Sequence, residues 1–345
     1  MTLAGKHLSI AIIARNEAAA IGRTLQSLAQ QDLFGQQGIE IDLIVLANGC
    51  TDDTAGVAQT ALTKCLGPAL RRAEVVETPI GGKSRAWNMV VHDEAAADTD
   101  LFLFVDADVE LAGPEVCREL LERLLADDQA VACSGRPVKR IARKQRKSLT
   151  DRISLEVSEA NRADRSINGS LYCAWASALR QIWLPVPTPG EDGFLNAMIQ
   201  TRGFSAPPDC CLVTQAERVT HYFDPPRLSQ ILAHEQRMVV GTAVNIWLFE
   251  HLMAMAPTEP VGRLIGERNA TDPSWVGKVV RERTGTRRWV VPSKLLFWRM
   301  PRIQRDEPLR NLRRIPVGII ATAFSLVVAV FANSRLKQDS AAGYW

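Results

Sequence analysis

"LFLFVDADVEL", Leu101 to Leu111, is the stretch on which the reading of this chain turns. Leu101–Val105 is a short continuous apolar run with the length and composition of a buried strand. Two carboxylates then follow one residue apart, at Asp106 and Asp108. Like charges that close raise each other's pKa and repel, so the pair calls for a cation between them.

Working outward, three similar runs precede it: "LSIAIIA" (Leu8–Ala14), "IDLIVLA" (Ile41–Ala47) and "AEVVET" (Ala73–Thr78). Segments of helical apolar spacing lie between them, such as "EAAAIGRTLQSLAQQ" and "DDTAGVAQTALTKCL". Strand and helix in alternation predict an α/β fold, a mostly parallel sheet flanked by helices, with ligands held beyond the carboxyl ends of the strands. The unusual polar clusters fall at those ends: "RNE" from Arg15, "NGCTDDT" from Asn48, "GGKSRAWN" from Gly81 and "DAD" from Asp106. Together they mark one site.

Composition sets the bounds. With 345 residues, 46% hydrophobic and 23% charged, the chain reads as globular, one large domain with an appendage. A net charge of +3 is too small to indicate nucleic acid as a partner, although basic residues crowd the last quarter. The seven cysteines contain no CxxC pair; most are expected to be small buried groups in a reducing compartment, with no zinc site. The first segment shows no export signal, so the first domain is expected to face the cytoplasm.

Beyond Gly135, "RPVKRIARKQRKSL" is read as a solvated face ahead of a binding patch. "EDGFLNAMIQTRGF" places Glu191 and Asp192 at a helix start, where the dipole favours their ionised forms by about 0.3–1 kcal/mol. Residues from Arg227 to Ala256 read as helix. A basic stretch with Trp289, Phe297 and Trp298 then leads into "IPVGIIATAFSLVVAVFAN", Ile315–Asn333, which carries no charge. That pattern predicts a membrane anchor approached by interfacial cations and tryptophans. A core helix, or a shallow insertion begun by Pro316 and Gly318, is the alternative.

The "DAD" carboxylates have two readings, hard oxygen ligands for a divalent cation or a capped turn ahead of "GPEVCRELLERLL". Lys83 and Arg85 are either a clamp for diphosphate charge or ordinary first-turn helix residues. Asn48 and Asp52 are candidate base or ribose contacts, with helix capping as the plainer role.

"ARNE", "IVLANGCTDDT", "GGKSRAWN", "FVDADV" and "GEDGFL" resemble, in order and spacing, the family 2 glycosyltransferases of GT-A fold, over roughly the first 240 residues. The resemblance implies a nucleotide-sugar donor, a UDP-sugar by preference. Arg15, Glu17, Asn48, Asp52, Lys83 and Arg85 would hold it, and Asp106 and Asp108 would bind Mg2+ or Mn2+ at its diphosphate. It further implies Asp192 as the catalytic base of an inverting transfer, with Glu191 orienting sugar or acceptor hydroxyls. Ala47 departs from the pattern, standing where many members have an acid. The "QxxRW" motif of processive members is absent as such; "HEQRMVVG" takes its place and offers Arg237 to the phosphates. His221 is open between completing the metal shell and packing at a strand end. Tyr172 and Trp175 are open between stacking on a sugar and core.

The expected organisation is a GT-A domain over 1–226, a helical and basic membrane-proximal or acceptor region over 227–314, and the hydrophobic anchor at 315–333. The expected activity is single sugar transfer to a lipid-linked or glycan acceptor at the cytoplasmic membrane face. A sugar nucleotidyltransferase is the competing enzyme, against which the Gly-rich N-terminal loop of that class is missing. An inactive nucleotide-sugar-binding scaffold is the competing non-enzyme.

Overall fold

In the computed structural model, residues 2–66, 70–160, 164–225, 228–255, 260–296 and 308–338 are described, those at 149, 150, 153, 157, 160, 228 and 308–321 through their backbone. The elements follow in order as β1 (His7–Ala14), α1 (Ile21–Ala29), β2 (Glu40–Asn48), α2 (Thr54–Cys65), β3 (Arg72–Thr78), α3 (Lys83–Met89), β4 (Leu101–Asp106), β5 (Glu110–Leu111) and α4 (Val116–Ala126). They continue as β6 (Ala132–Ser134), β7 (Pro137–Lys139), α5 (Leu149–Ala160), β8 (Leu171–Trp175), α6 (Ala176–Leu179), α7 (Glu191–Gln200), β9 (Val213–Gln215) and β10 (His221–Phe223). Four more helices complete the chain: α8 (Leu228–Met253), α9 (Val261–Thr271), α10 (Trp275–Thr284) and α11 (Pro308–Lys337).

Two compact units result. The first comprises Met1–Pro185, Glu191–Pro225 and Met255–Glu267, and the second Val186–Gly190, Pro226–Ala254 and Arg268–Trp345. The first holds a seven-stranded sheet in the order β3-β2-β1-β4-β8-β6-β9. Its half from β3 to β4 is parallel throughout, and β8 runs antiparallel to both β4 and β6. All four expected strands are present, each within one residue of its expected bounds. Every residue of β1 and Leu101–Val105 of β4 are buried because helices cover both faces. Helix α1 buries Ile21, Thr24, Leu25 and Leu28, one stripe of a 3.6-residue repeat, and α4 buries Val116, Leu120, Leu121, Leu124 and Leu125. Truncating a fully buried core residue such as Leu103 to Ala would cost about 2–5 kcal/mol.

The order β3-β2-β1-β4 reverses its winding between β1 and β4, which opens a crevice at their carboxyl ends. Beside it, β5, β10 and β7 form a small second sheet. Its strands are two or three residues long, too short for periodicity to reveal. Cys117, Cys133 and Cys173 are buried, whereas Cys65 and Cys210 are exposed and Cys50 and Cys211 half-buried. The expectation that most cysteines are buried therefore fails, since four of the seven lie on loops and helix ends that reach solvent.

In the second unit α8 buries Val240, Ala243, Val244, Leu248 and Leu252, and α10 and α11 pack against it. Asn245 on α8 donates from Nδ2 to Gly190 O at 2.7 Å, tying the 186–190 segment to that helix. Phe297 and Trp298, singled out in the sequence, lie outside the described residues, as do 226, 227 and 256 at the edges of the expected long helix. Among the described residues no helix is long and apolar enough to cross a membrane.

Candidate active site

Three loops of the first unit meet at the crevice, and their glycines set how closely. Gly49 has φ +59°, and a Cβ on it would lie 2.6 Å from Gly81 N. A Cβ on Gly81 would meet the Arg15 guanidinium at 3.0 Å. Gly49 is therefore required where the loops after β2 and β3 meet, and Gly81 lets the Arg15 side chain of the loop after β1 lie close. Asn48 fastens two of them: its Oδ1 accepts from Gly82 N at 3.0 Å. With no exposed surface it brackets the loops from beneath, and its Nδ2 has no hydrogen-bond partner among the described residues. Asp52 is likewise a brace, since its Oδ2 accepts from Ala18 N at 3.2 Å and its Oδ1 from the Thr54 hydroxyl and amide. The Thr54 hydroxyl, with the backbone contacts, holds the Asp52 pKa below the ordinary carboxylate range. The N-cap of α2 is Asp53, which makes no side-chain cap bond, so Asp52 acts one residue ahead of the cap position and reaches the neighbouring loop.

Lys83, the first residue of α3, lies at the centre of the site. Its Nζ is 2.9 Å from Asp106 Oδ1 and 3.2 Å from Glu191 Oε1. Burial disfavours its charge, but Asp106 and Glu191 outweigh that and raise its pKa. Arg85, one helical step on, has its Nε buried with no hydrogen-bond partner among the described residues. Asn88 on the same helix exchanges two bonds of 2.9 Å with the Leu184 backbone and fixes the chain ahead of the "ED" pair.

Asp106 ends β4 and Asp108 is exposed just beyond. Burial raises the Asp106 pKa even against Lys83. Glu17, half-buried after β1, is pushed up to about 7 by burial and then by the charges of Asp108, Asp106 and Asp52. The loop carrying the aspartates is fixed from below by the buried Thr24 of α1, whose Oγ1 lies 2.7 Å from Ala107 O and 2.9 Å from Val109 O.

At the start of α7, Asp192 has its pKa raised to about 6 by burial and by the neighbouring Glu191 charge, with Lys83 opposing. Its Oδ1 accepts from Gly193 N at 2.7 Å. Beside these groups lies a pocket whose apolar wall is Ile13, Trp87, Phe104, Tyr172, Leu184 and Leu195. Lys83, Asp106, Glu191 and Asp192 line its polar side. Tyr172 accepts from Trp87 Nε1 at 2.7 Å and stacks on Phe104 with ring centroids 5.0 Å apart, which makes it core rather than a free stacking platform. Trp175 instead receives Lys6, whose ammonium is 5.5 Å from the ring centroid.

His221 is buried, with Nε2 2.7 Å from Ser170 Oγ and Nδ1 2.8 Å from Thr220 Oγ1. The hydroxyl of Ser170 donates to Asn168 Oδ1, so His221 Nε2 carries the proton. Thr220 Oγ1 accepts from Arg136 N at 2.8 Å and gives its own proton to Nδ1. Both ring nitrogens are satisfied and burial pushes the pKa down to about 3, which corrects the metal-ligand option for this residue. The network still touches the site, since Ser170 O accepts from Asp106 N at 2.8 Å. Ser170 and Asn168 were missed in the sequence; the only local signal is the turn "NGS" before a strand. Arg237 stands half-buried on α8 of the second unit.

The donor set was tested against a divalent cation. Asp106 and Asp108 supply hard oxygens, and their charges add to burial in raising the Glu17 pKa beside them. Among the described residues no three protein groups converge as a complete metal shell. The pair therefore fits a cation that draws its remaining ligands from substrate and water, as Mg2+ at phosphate sites does.

A mostly parallel α/β sheet, with an acidic pair ending β4 at the switch point and a second pair opening α7, has the layout expected of the GT-A fold. The chain belongs to the family described as glycosyl transferase family 2, whose model matches residues 9–184. Over 122 residues, 34% of this chain, it is 35% identical to 4,4'-diaponeurosporenoate glycosyltransferase of Staphylococcus aureus, and that match spans 28% of the relative's length. Among solved structures it is similar to a mannosyltransferase of Pyrobaculum calidifontis in complex with GDP-Man and Mn2+. That likeness has a TM-score of 0.56 at 15% identity and covers 96% of this chain and 87% of the other. Glucosyl-3-phosphoglycerate synthase of Mycobacterium tuberculosis, with Mn2+, UDP-glucose and phosphoglyceric acid, aligns with a TM-score of 0.48 at 19% identity, over 70% of this chain and 80% of that one.

Proposed function

We propose that the protein is a metal-dependent, inverting glycosyltransferase. It transfers one sugar from a nucleoside-diphosphate donor, a UDP-sugar by preference, to a hydroxyl of a lipid-linked or glycan acceptor at the cytoplasmic face of a membrane. One observation carries the reading: a carboxylate with pKa about 6, Asp192, stands beside a Lys83 held between Asp106 and Glu191.

A base serves best when its pKa lies near the working pH, and Asp192 is mostly ionised yet still proton-accepting at neutrality. It takes the proton of the acceptor hydroxyl as that oxygen attacks the anomeric carbon. Glu191, tied to Lys83, orients hydroxyls by accepting their hydrogen bonds. Lys83 meets the negative charge that grows on the departing diphosphate, with Arg85 as a further cation for its phosphates. Asp106 and Asp108 would hold Mg2+ or Mn2+, which supplies Lewis-acid stabilisation of the leaving group. One base and one leaving-group clamp suffice for a single in-line displacement, and a single displacement inverts the anomeric centre.

Asp192→Asn tests the assignment. Transfer should fall by about 10²- to 10⁴-fold while nucleoside-diphosphate binding, read by thermal shift with Mn2+, persists. Undiminished transfer would remove Asp192 from the mechanism. A thermal shift unchanged by chelation would remove the metal from Asp106 and Asp108.

A further inference from the structure

The second unit carries a surface that the transfer chemistry does not use. On α11 Ser325, Val328, Ala329, Ala332 and Leu336 are all 3% exposed or less, and the helix packs this stripe toward α8 and α10. On its opposite face Leu326, Val327, Val330 and Phe331 are 43%, 50%, 57% and 48% exposed. The spacing i, i+1, i+4, i+5 makes these four a continuous stripe. A helix apolar on both sides that packs only one leaves the other for a partner.

The rim says which partner. Asn333 accepts from Val290 N at 2.7 Å and donates to Arg288 O at 3.1 Å, which pins the Arg287–Trp289 segment beside the stripe. Arg287 and Arg288 are exposed, and the Trp289 ring is 43% exposed with its Nε1 donating to Val291 O at 2.9 Å. Residues 285–296 and 322–338 contain no carboxylate but bring Arg287, Arg288, Lys294, Arg335 and Lys337. Apolar stripe, edge indole and uncontested cations match the depth profile of an anionic bilayer: acyl chains, interface, headgroups. A second copy of the chain fits poorly, because a two-fold contact would set these cations against themselves.

We propose that this face of α11, with Arg287–Trp289, docks in the plane of an anionic lipid surface, so that α11 lies along the membrane instead of crossing it. Crossing would strip the buried stripe from α8. The inference deepens the membrane placement offered above and rests on that placement, but not on the sugar transfer.

The test uses the full chain and vesicles of phosphatidylcholine with or without phosphatidylglycerol, read by co-sedimentation. Binding should require the anionic lipid and weaken with salt. Arg287→Gln with Arg288→Gln should lower it about 25-fold, at roughly fivefold per arginine. Val327→Asp with Phe331→Asp should lower it at least about tenfold, with unchanged Tm because both side chains are exposed. Alkaline carbonate should release the wild type from cell membranes. Retention through carbonate, with both double variants still bound, would overturn in-plane docking and leave the membrane placement standing. A protein found in the soluble fraction that ignores every vesicle would overturn both. A dimer that the Val327→Asp, Phe331→Asp variant dissociates would assign the face to a second copy instead.

Discussion

The two ends of the large sheet in the first unit both carry buried acids, and they treat them in opposite ways. At the amino ends of β1 to β4, the fully buried Asp42 is met by Arg71 through Nε at 2.9 Å and Nη2 at 2.7 Å, and by His7 Nε2 at 3.1 Å. Burial alone would raise its pKa, but Arg71 and His7 prevail and hold it below the ordinary value. His7 in turn reaches Asp98 at 3.1 Å, and Lys6 reaches Asp100 at 3.4 Å. At the carboxyl ends, Glu17, Asp106 and Asp192 all have raised pKa values, and Lys83 is the cation held among Asp106 and Glu191. Charge is neutralised within the chain where it supports the fold. The acids are left with raised pKa values at the crevice, where the proposed function places a cation and a reacting hydroxyl.

The largest effect on stability should come from breaking the neutral end. Asp42→Ala strands Arg71 and His7 and should cost about 2–3 kcal/mol in urea unfolding, short of a fully buried pair because Arg71 is partly exposed. The lowered Asp42 pKa contributes stability that is present above the unfolded value of about 3.8 and is lost as pH falls. That acid-side loss should be missing in the variant.

Relieving the other end should do the reverse. Glu17 binds its proton more tightly folded than unfolded, so its contribution to stability declines as pH rises from about 4.5 to about 7 and stays at its lowest above that. Glu17→Gln should therefore gain about 1 kcal/mol at pH 8, allowing for solvent screening, and flatten the Tm profile across that window. A loss at pH 8 would mean that the negative surplus is not a strain on the fold. His221, depressed to about 3, should withdraw stability on the acid side, between about pH 6.5 and 3, as the unfolded chain takes up the proton first. His221→Gln should shrink that slope in a pH series of Tm values.

The smallest effect belongs to Thr24→Val, which deletes the buried hydroxyl under the aspartate loop. It should cost about 1 kcal/mol of stability and weaken Mn2+-dependent nucleotide binding more than metal-free binding.

The first of these ends was hardly legible in the sequence, whereas the second was. Four apolar runs declared β1 to β4, and a polar cluster after each declared the crevice, because periodicity and turn chemistry are local. The roles of individual polar residues were less accessible. Asn48 and Asp52 also brace the loops, through Gly82 and Ala18 of other loops, and no local spacing shows that bracing. The proton arrangement at His221 depends on residues 136, 168, 170 and 220, a combination no spacing announces. The His7–Asp42–Arg71–Asp98 cluster is equally dispersed. The antiparallel entry of β8 between β4 and β6 is a property of the sheet, not of "LYCAW".

Thr24 touches the carbonyls on either side of Asp108, and that threonine belongs to a helix buried in the core. The aspartate loop is thereby set in shape when the domain folds. Under the proposed function, incoming metal and diphosphate would meet a preorganised receptor, and their binding energy would not be consumed in ordering the chain.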